Sequence, residues 1–270
     1  MIDFSVEVVC IGTELLTGLT QDSNSYWLAK ELALLGCTLR RITIVPDDPP
    51  DMMQALRGAF ERGTPIVLTS GGLGPTPDDL TVSVVAQMLG VKTVLHEGIL
   101  AELMARRGMT DRSQVRPAMF TMCTIPETAK AYPNPAGAAP CIHLSVEKTE
   151  LFIMPGVPRE VQGIFEAHVK PFIRAASPFR MASTRVVVNM LEAEAGPLLA
   201  EVMRAHPGTY MKGALTQAKR IGDTQHLPVD VVCRAESDIQ AAATLAETVQ
   251  HFGRLLEQKG RGFVTEQQAG

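Results

Sequence analysis

Apolar positions in the first third of the chain alternate between two periods. The segments at about 5–11 (SVEVVCI), 38–45 and 65–70 are short and rich in β-branched residues and read as strands, and the apolar run 65–68 reads as a buried one. Between them, about 23–35 and 51–62 carry apolar residues at helical spacing. Gly36 stands at the C-cap of the first, and Asp48 or Asp51, beside Pro49-Pro50, near the N-terminus of the second. After the third strand, Val82, Val85, Ala86 and Leu89 mark another helix, closed by Gly90. This strand–helix order predicts parallel strands, right-handed crossovers and helices on both faces. The fold class is α/β: three α/β/α layers around a doubly wound, mostly parallel sheet.

The middle of the chain is less regular. Lys92–His96 reads as a strand, 97–107 and about 112–120 as helices, and the Pro/Ala/Gly stretch 132–140 as an extended loop. Ile142–Val146 and Glu150–Met154 read as two strands joined by a turn, followed by a helix from PGVPRE (155–160) to about Ala175. A break falls at Ser177-Pro178. Beyond it, Thr184–Asn189, Thr209–Thr216 and Pro228–Arg234 read as strands, and Gly196–Ala205 and Asp238–Glu257 as helices, a small ferredoxin-like α+β subdomain. The expected organisation is therefore a first domain over 1–176, a subdomain over 177–262 and a disordered tail over 263–270, which lacks periodicity.

Composition narrows the partners. The 270 residues carry a net charge of −4 with no basic stripe, which argues against nucleic acid. No run of about 18 apolar residues is present to span a membrane, and the N-terminal MIDFSVEVVCIG lacks the basic start of a signal peptide. Five scattered cysteines, at 10, 37, 123, 141 and 233, suit reduced, buried thiols in a cytoplasmic protein. None of the histidines pairs at zinc-ligand spacing.

Each of the first three strands ends in a polar, turn-rich loop: GTELLTGLTQDSNS (12–25), PDDPPD (46–51) and SGGLGPTPDD (70–79). A doubly wound sheet brings such loops to one edge, where ligands bind. In the third loop, Gly71, Gly72 and Gly74 before a helix make an anion site. Asp78 and Asp79 would repel a bare phosphate, so a divalent metal between them is the economical reading. Capping is the alternative: Thr76 at the N-cap, Pro77 at the first helical position and Asp79 at the third. Asp47 follows the second strand directly and, with Asp78 and Asp79, offers hard oxygen ligands to Mg²⁺ or Mn²⁺. Glu14, Asp22 and Asn24 in the first loop are candidates for catalysis or substrate contact, although Asp22 or Asn24 also suits a helix cap. Arg159 is the candidate cationic clamp on phosphate. No nucleophile motif and no dinucleotide fingerprint occurs.

GTELLTG (12–18), DSN (22–24), VPDD (45–48), SGGLGPTPDDLT (70–81), NPAGAAP (134–140) and PGVPRE (155–160) occur in this order. Together they resemble the N-terminal domain of the CinA competence/damage-inducible family, itself similar to the MogA and MoaB molybdopterin-binding proteins. The resemblance implies a metal-dependent hydrolase of a nucleotide diphosphate, ADP-ribose first among substrates, assisted by Mg²⁺, Mn²⁺ or Co²⁺ and by K⁺. It implies Asp47 and Asp79 as metal-holding, catalytic acids, with Glu14 or Asp22 as candidate bases. It further implies that Gly71, Gly72, Gly74 and Thr76 form the phosphate loop, and that Asn134 and Gly137 belong to a loop closing over the substrate. Two alternatives accompany it: a pterin-binding or adenylyl-transferring protein of molybdenum cofactor biosynthesis, and a non-catalytic nucleotide-binding module. FAD or a pterin then replaces ADP-ribose, and a homodimer or trimer is expected. The sequence ends before the family's nicotinamide mononucleotide deamidase domain, so that activity is expected to be absent. Residue 13 is Thr where the molybdopterin branch has Asp. Residue 141 is Cys where the family has Gly, which is expected to narrow the closing loop.

Overall fold

Every residue of strand β1 (Ser5–Ile11) is buried, which a strand reaches only in the interior of a sheet covered on both faces. The computed structural model describes residues 4–221 and 224–266. Those residues fall into two units, 4–33 with 37–176 and 34–36 with 177–266.

In the first unit β1 is followed by a single turn α1 (Thr13–Leu16), α2 (Ser23–Leu34), β2 (Thr38–Val45), α3 (Pro49–Glu61), β3 (Ile66–Ser70) and α4 (Thr81–Leu89). Next come β4 (Thr93–Leu95), α5 (Glu97–Arg106), α6 (Pro117–Met122), β5 (Thr124–Pro126), β6 (Lys130–Tyr132), β7 (Cys141–Val146) and β8 (Thr149–Met154). α7 (Pro158–Ile164) then runs through a π turn into α8 (Lys170–Ala176). The main sheet has the order β2-β1-β3-β8-β7-β6. Its first four strands are parallel, and the β7–β8 hairpin and β6 complete it antiparallel. β4 and β5 form a separate antiparallel pair. Helices α3 and α4 bury Met52, Leu56, Val84 and Val85 against Val9, Ile11 and Val67. Cys10 points to the opposite face, beside Asp22 and Ser25 at the start of α2.

The expected α/β fold is present. Three local readings change. α4 begins at Thr81, not at Pro77, because Asp79 turns back into its own loop instead of entering the helix. The stretch 132–140 starts inside a strand, since Tyr132 pairs with Cys141. Cys141 itself is wholly buried in β7, so it fills core space and does not narrow the closing loop.

The second unit contains β9 (Arg180–Asn189), α9 (Glu192–Ala205), β10 (Thr209–Gly213), β11 (Lys219–Ile221), β12 (Thr224–Ala235), α10 (Asp238–Gln258) and β13 (Phe263–Glu266). Its antiparallel sheet runs β10-β12-β9-β13, the ferredoxin-like order, with β11 paired to β12. Leu199, Val202, Phe252 and Leu256 of its two helices pack on Val186, Val188, Val229 and Val231. The expected tail is corrected here: residues 263–266 pair with β9 and complete the sheet. Residues 267–270 of that tail lie outside the described residues.

One charged side chain is buried in the first sheet. Glu7, 3% exposed, accepts from Nε and Nη2 of Arg62 at 2.9 and 2.7 Å and from the hydroxyl of Thr64 at 2.7 Å. Burial raises its pKa, but the Arg62 bonds outweigh burial and hold it below its ordinary 4.5. The sign follows from the lowered value. The stabilisation is complete above 4.5 and is lost as the pH falls through the folded-state pKa. Glu7→Gln is expected to cost about 1–3 kcal/mol near neutral pH. It should also flatten the acid limb of stability, measured by denaturant unfolding between about pH 7 and pH 3; an unchanged acid limb would assign that limb to other carboxylates.

Candidate functional site

The parallel strands β1, β2, β3 and β8 all end at one edge, and the chain leaves β1 and β3 in opposite directions, toward β2 and β8. A crevice at such a switch point is where open α/β sheets bind ligands. Here a cleft of about 460 Å³ opens. Its walls are Gly12 and Glu14 after β1, Asp47 after β2, residues 71–75, Asp78 and Asp79 after β3, and residues 155–157 after β8. Met122, Ala138, Ala139 and Glu160 complete it.

Hydrogen bonds fix each loop to another. Asp47 Oδ2 accepts from the Thr13 amide at 2.8 Å, and the Thr13 hydroxyl contacts the Asp47 amide at 3.1 Å, so the first and second loops clasp each other. Asn24 donates to Ser70 Oγ at 2.9 Å and to the Gly156 carbonyl at 2.8 Å, which joins α2 to the third and fourth loops. Gly71 has a φ of +114°, and a Cβ there would meet the carbonyl of Ile11. The close approach of the β1 and β3 ends therefore requires glycine.

Asp79 closes the glycine loop from inside. Its Oδ1 accepts from the Gly74 amide at 2.6 Å and its Oδ2 from the Thr76 amide at 2.8 Å and from the Thr76 hydroxyl. The Gly71 amide donates to Met154 at 3.0 Å. Several donors expected to cradle phosphate are thus spent within the protein. The Thr76 hydroxyl and Asp78's own amide hold the Asp78 carboxyl below the ordinary carboxylate range.

Of the residues singled out in the sequence, Glu14, Asp47, Gly71, Gly72, Gly74, Asp78 and Asp79 line the cleft. Asp22 and Asn24 line a small neighbouring crevice instead, which Glu14 also borders. Asp22 caps α2 by accepting from the amide and hydroxyl of Ser25. Thr76, Asn134, Gly137 and Arg159 are not lining residues. Asn134 is 2% exposed, and its amide group is committed to Ala139, Glu160 and Ala136. It shapes the closing loop and has nothing left for substrate. Arg159 is exposed on the first turn of α7. Its neighbour Glu160, two residues after Pro158 at the start of that helix, is the residue that reaches the cleft. Sequence reading missed Glu160, although the third helical position is the one that turns back toward the preceding loop. Gly137 sits against the Glu160 carboxylate, where a Cβ would collide with it.

The lining therefore holds five carboxylates, Glu14, Asp47, Asp78, Asp79 and Glu160, and no Lys, Arg or His among the described residues. Among those residues no group of three or more His, Cys, Asp or Glu converges as a ready metal cage. Four of the thiols offer no ready nucleophile: burial pushes the Cys10 thiol up, those of Cys37 and Cys141 up to about 12, and that of Cys123 up to about 11.

Residues 7–175 match the family described as "Probable molybdopterin binding domain". The chain belongs to this family, in its CinA-like branch. It is 34% identical over 255 residues to a protein of Pyrobaculum arsenaticum, covering 93% of this chain and 94% of that one. To a "CinA-like protein" of Myxococcus xanthus it is 33% identical over 260 residues, which span 93% of this chain and 60% of that one. The crystal structure of the protein CinA of Thermoplasma acidophilum, a protein described as of unknown function, superposes with a TM-score of 0.57 at 33% identity. That match covers 62% of this chain and 96% of the other. In this CinA-like chain the cleft lies wholly inside the matched segment.

Two substitutions test the scaffold of this molybdopterin-binding-family site. Gly71→Ala is expected to lower stability by about 1–3 kcal/mol, read as a lower Tm. Asn134→Asp is expected to be more harmful than Asn134→Ala. It replaces a donor with an acceptor facing the Ala139 carbonyl and the Glu160 carboxylate, whereas alanine only deletes the bonds, at about 1–3 kcal/mol. Amide exchange at residues 136–139 reports on both Asn134 variants; equal protection in the two would mean that the Asn134–Glu160 contact does not hold the loop.

Proposed function

We propose that the first unit binds a phosphorylated pterin of the molybdopterin type and presents it, as a divalent-cation complex, in the binding or adenylyl-transfer chemistry of molybdenum cofactor synthesis. The observation that carries this reading is an acidic cleft at the switch point of the sheet, lying inside the family's own segment. The amino-pyrimidinone edge of a pterin presents adjacent N–H donors, and a carboxylate accepts two at once. The phosphate end meets repulsion from the same carboxylates unless a cation accompanies it.

The donor set fits such a cation in one way. Mg²⁺ takes one or two protein carboxylates and fills its shell with phosphate oxygens and water. Asp47 uses one oxygen, Oδ2, on the Thr13 amide, and Asp78 is exposed at the loop tip; these two are the residues to hold it. Bound there, the cation would neutralise phosphate charge and polarise the phosphoryl group. Asp79, with its oxygens turned to Gly74 and Thr76, keeps the loop in shape. Glu160 and Asn134 hold the closing loop over the opening.

Hydrolysis of a nucleotide diphosphate such as ADP-ribose is the second reading. It is favoured by the surplus of carboxylates: with Asp47 and Asp78 on a cation, exposed Glu14 remains to take a proton from water.

Titration with molybdopterin and with ADP-ribose separates the two, with Mg²⁺, Mn²⁺ or Co²⁺, with and without K⁺, and again after chelation. Saturable, metal-dependent molybdopterin binding is expected, weakened about tenfold or more in Asp78→Asn. Binding indifferent to chelation would remove the cation from the proposal. Metal-dependent release of AMP from ADP-ribose would transfer the assignment to the hydrolase.

A further inference from the structure

The acidic cleft shares a wall with a second space. Gly72, Leu73, Gly74, Asp79 and Met122 line the cleft and also a groove of about 390 Å³. The groove's remaining walls are Val82 and Ser83 of α4, Thr93 of β4, Phe120 and Thr121 of α6, and Thr124 of β5. The glycine loop is thus the partition between two half-sites.

Their chemistry differs. Apart from Asp79, the groove has no charged lining; it offers an aromatic ring, a thioether and four hydroxyls, those of Ser83, Thr93, Thr121 and Thr124. The Ser83 hydroxyl donates to the Leu80 carbonyl and the Thr124 hydroxyl to the Phe120 carbonyl, both at 2.8 Å. A hydroxyl whose proton is spent this way presents only lone pairs to a ligand. These two hydroxyls are therefore acceptors in the groove wall, complementary to ring N–H and amino groups. The ring of Phe120 is oriented in advance. Arg112 lies over it with Cζ 5.4 Å from the centroid, and two hydrogen bonds of 3.0 and 3.1 Å clamp Arg112 to Glu97.

We propose that this groove receives an amino-bearing planar heterocycle, of adenine or pterin type, belonging to the same ligand whose phosphate end enters the acidic cleft. The proposal rests on the reading of the cleft given above. The heterocycle packs on Phe120 and Met122 and donates its amino protons to Ser83 and Thr124, while the linkage to the phosphate passes the glycine loop.

Calorimetric titration in Mg²⁺ with inorganic pyrophosphate, ADP, hydroxymethylpterin diphosphate, adenosine and hydroxymethylpterin tests it, in the wild type and in Phe120→Leu and Thr121→Trp. The second variant fills the groove from an exposed helical position and serves where Phe120→Leu fails to fold. At least one ring-bearing probe is expected to bind the wild type about tenfold more tightly than pyrophosphate, and its identity tells adenine from pterin. Both substitutions should reduce that probe to the affinity of pyrophosphate, itself unchanged. No ring advantage in the wild type, or an advantage that survives both substitutions, overturns the proposal. Adenosine or hydroxymethylpterin binding that Thr121→Trp abolishes, with no binding of pyrophosphate, would uphold the groove and overturn the cleft reading. Silence from every probe overturns both.

Discussion

The parallel pairing of β1 with both β2 and β3 is the constraint from which the site follows. A strand flanked on both sides by parallel partners sends three loops to one edge, and β8 adds a fourth. Nothing in the individual loops dictates that Glu14, Asp47, Asp78 and Glu160, distant in sequence, share one cleft. The sheet imposes it. The loops then secure the arrangement through short polar clasps, Thr13 with Asp47 and Asn24 with Ser70 and Gly156, instead of through an apolar plug. Polar clasps suit a surface that must stay wet and charged.

The same geometry divides labour among the acids. Asp22 caps a helix, Asp79 organises a loop, and Asp47 does so with one oxygen only. A carboxylate that accepts two or three internal donors contributes rigidity first, and its charge is already partly compensated. The charge left to attract a cation lies on Glu14 and on the oxygens that the internal partners of Asp47, Asp78 and Glu160 leave open. The glycine loop places an inward-turned acid, Asp79, next to an exposed one, Asp78.

Much of this was legible in the sequence. β-branched runs over β1 and β3 carry a two-sided burial that no helix matches, and β2, largely exposed at the sheet edge, still reads as a strand from its own β-branched residues, so the α/β class and the edge of the site followed from pattern alone. The motifs also located most of the cleft lining. Three things were hidden. The start of α4 depended on whether Asp79 accepts from Gly74 and Thr76 or enters the helix, a competition between two local hydrogen-bond schemes that sequence leaves open. The burial of Asn134 depended on its partners Glu160 and Ala139, which fold over it from another helix and from its own loop. The last strand, Phe263–Glu266, has no alternation strong enough to announce itself. It exists because β9 offers it an edge.

The buried thiols carry a consequence of a different kind. Cys10, Cys123 and Cys141 are buried in the first unit and Cys233 in the second, and Cys37 is only partly covered. Alkylation at these positions needs both exposure and a thiolate, and the fold withholds both at Cys10, Cys123 and Cys141. The rate at which a thiol reagent gains each position is therefore a clock for opening of the surrounding core. Cys10 and Cys141 time the main sheet, and Cys233 times the ferredoxin-like layer. The chain carries, in its own residues, separate reporters for the breathing of each unit.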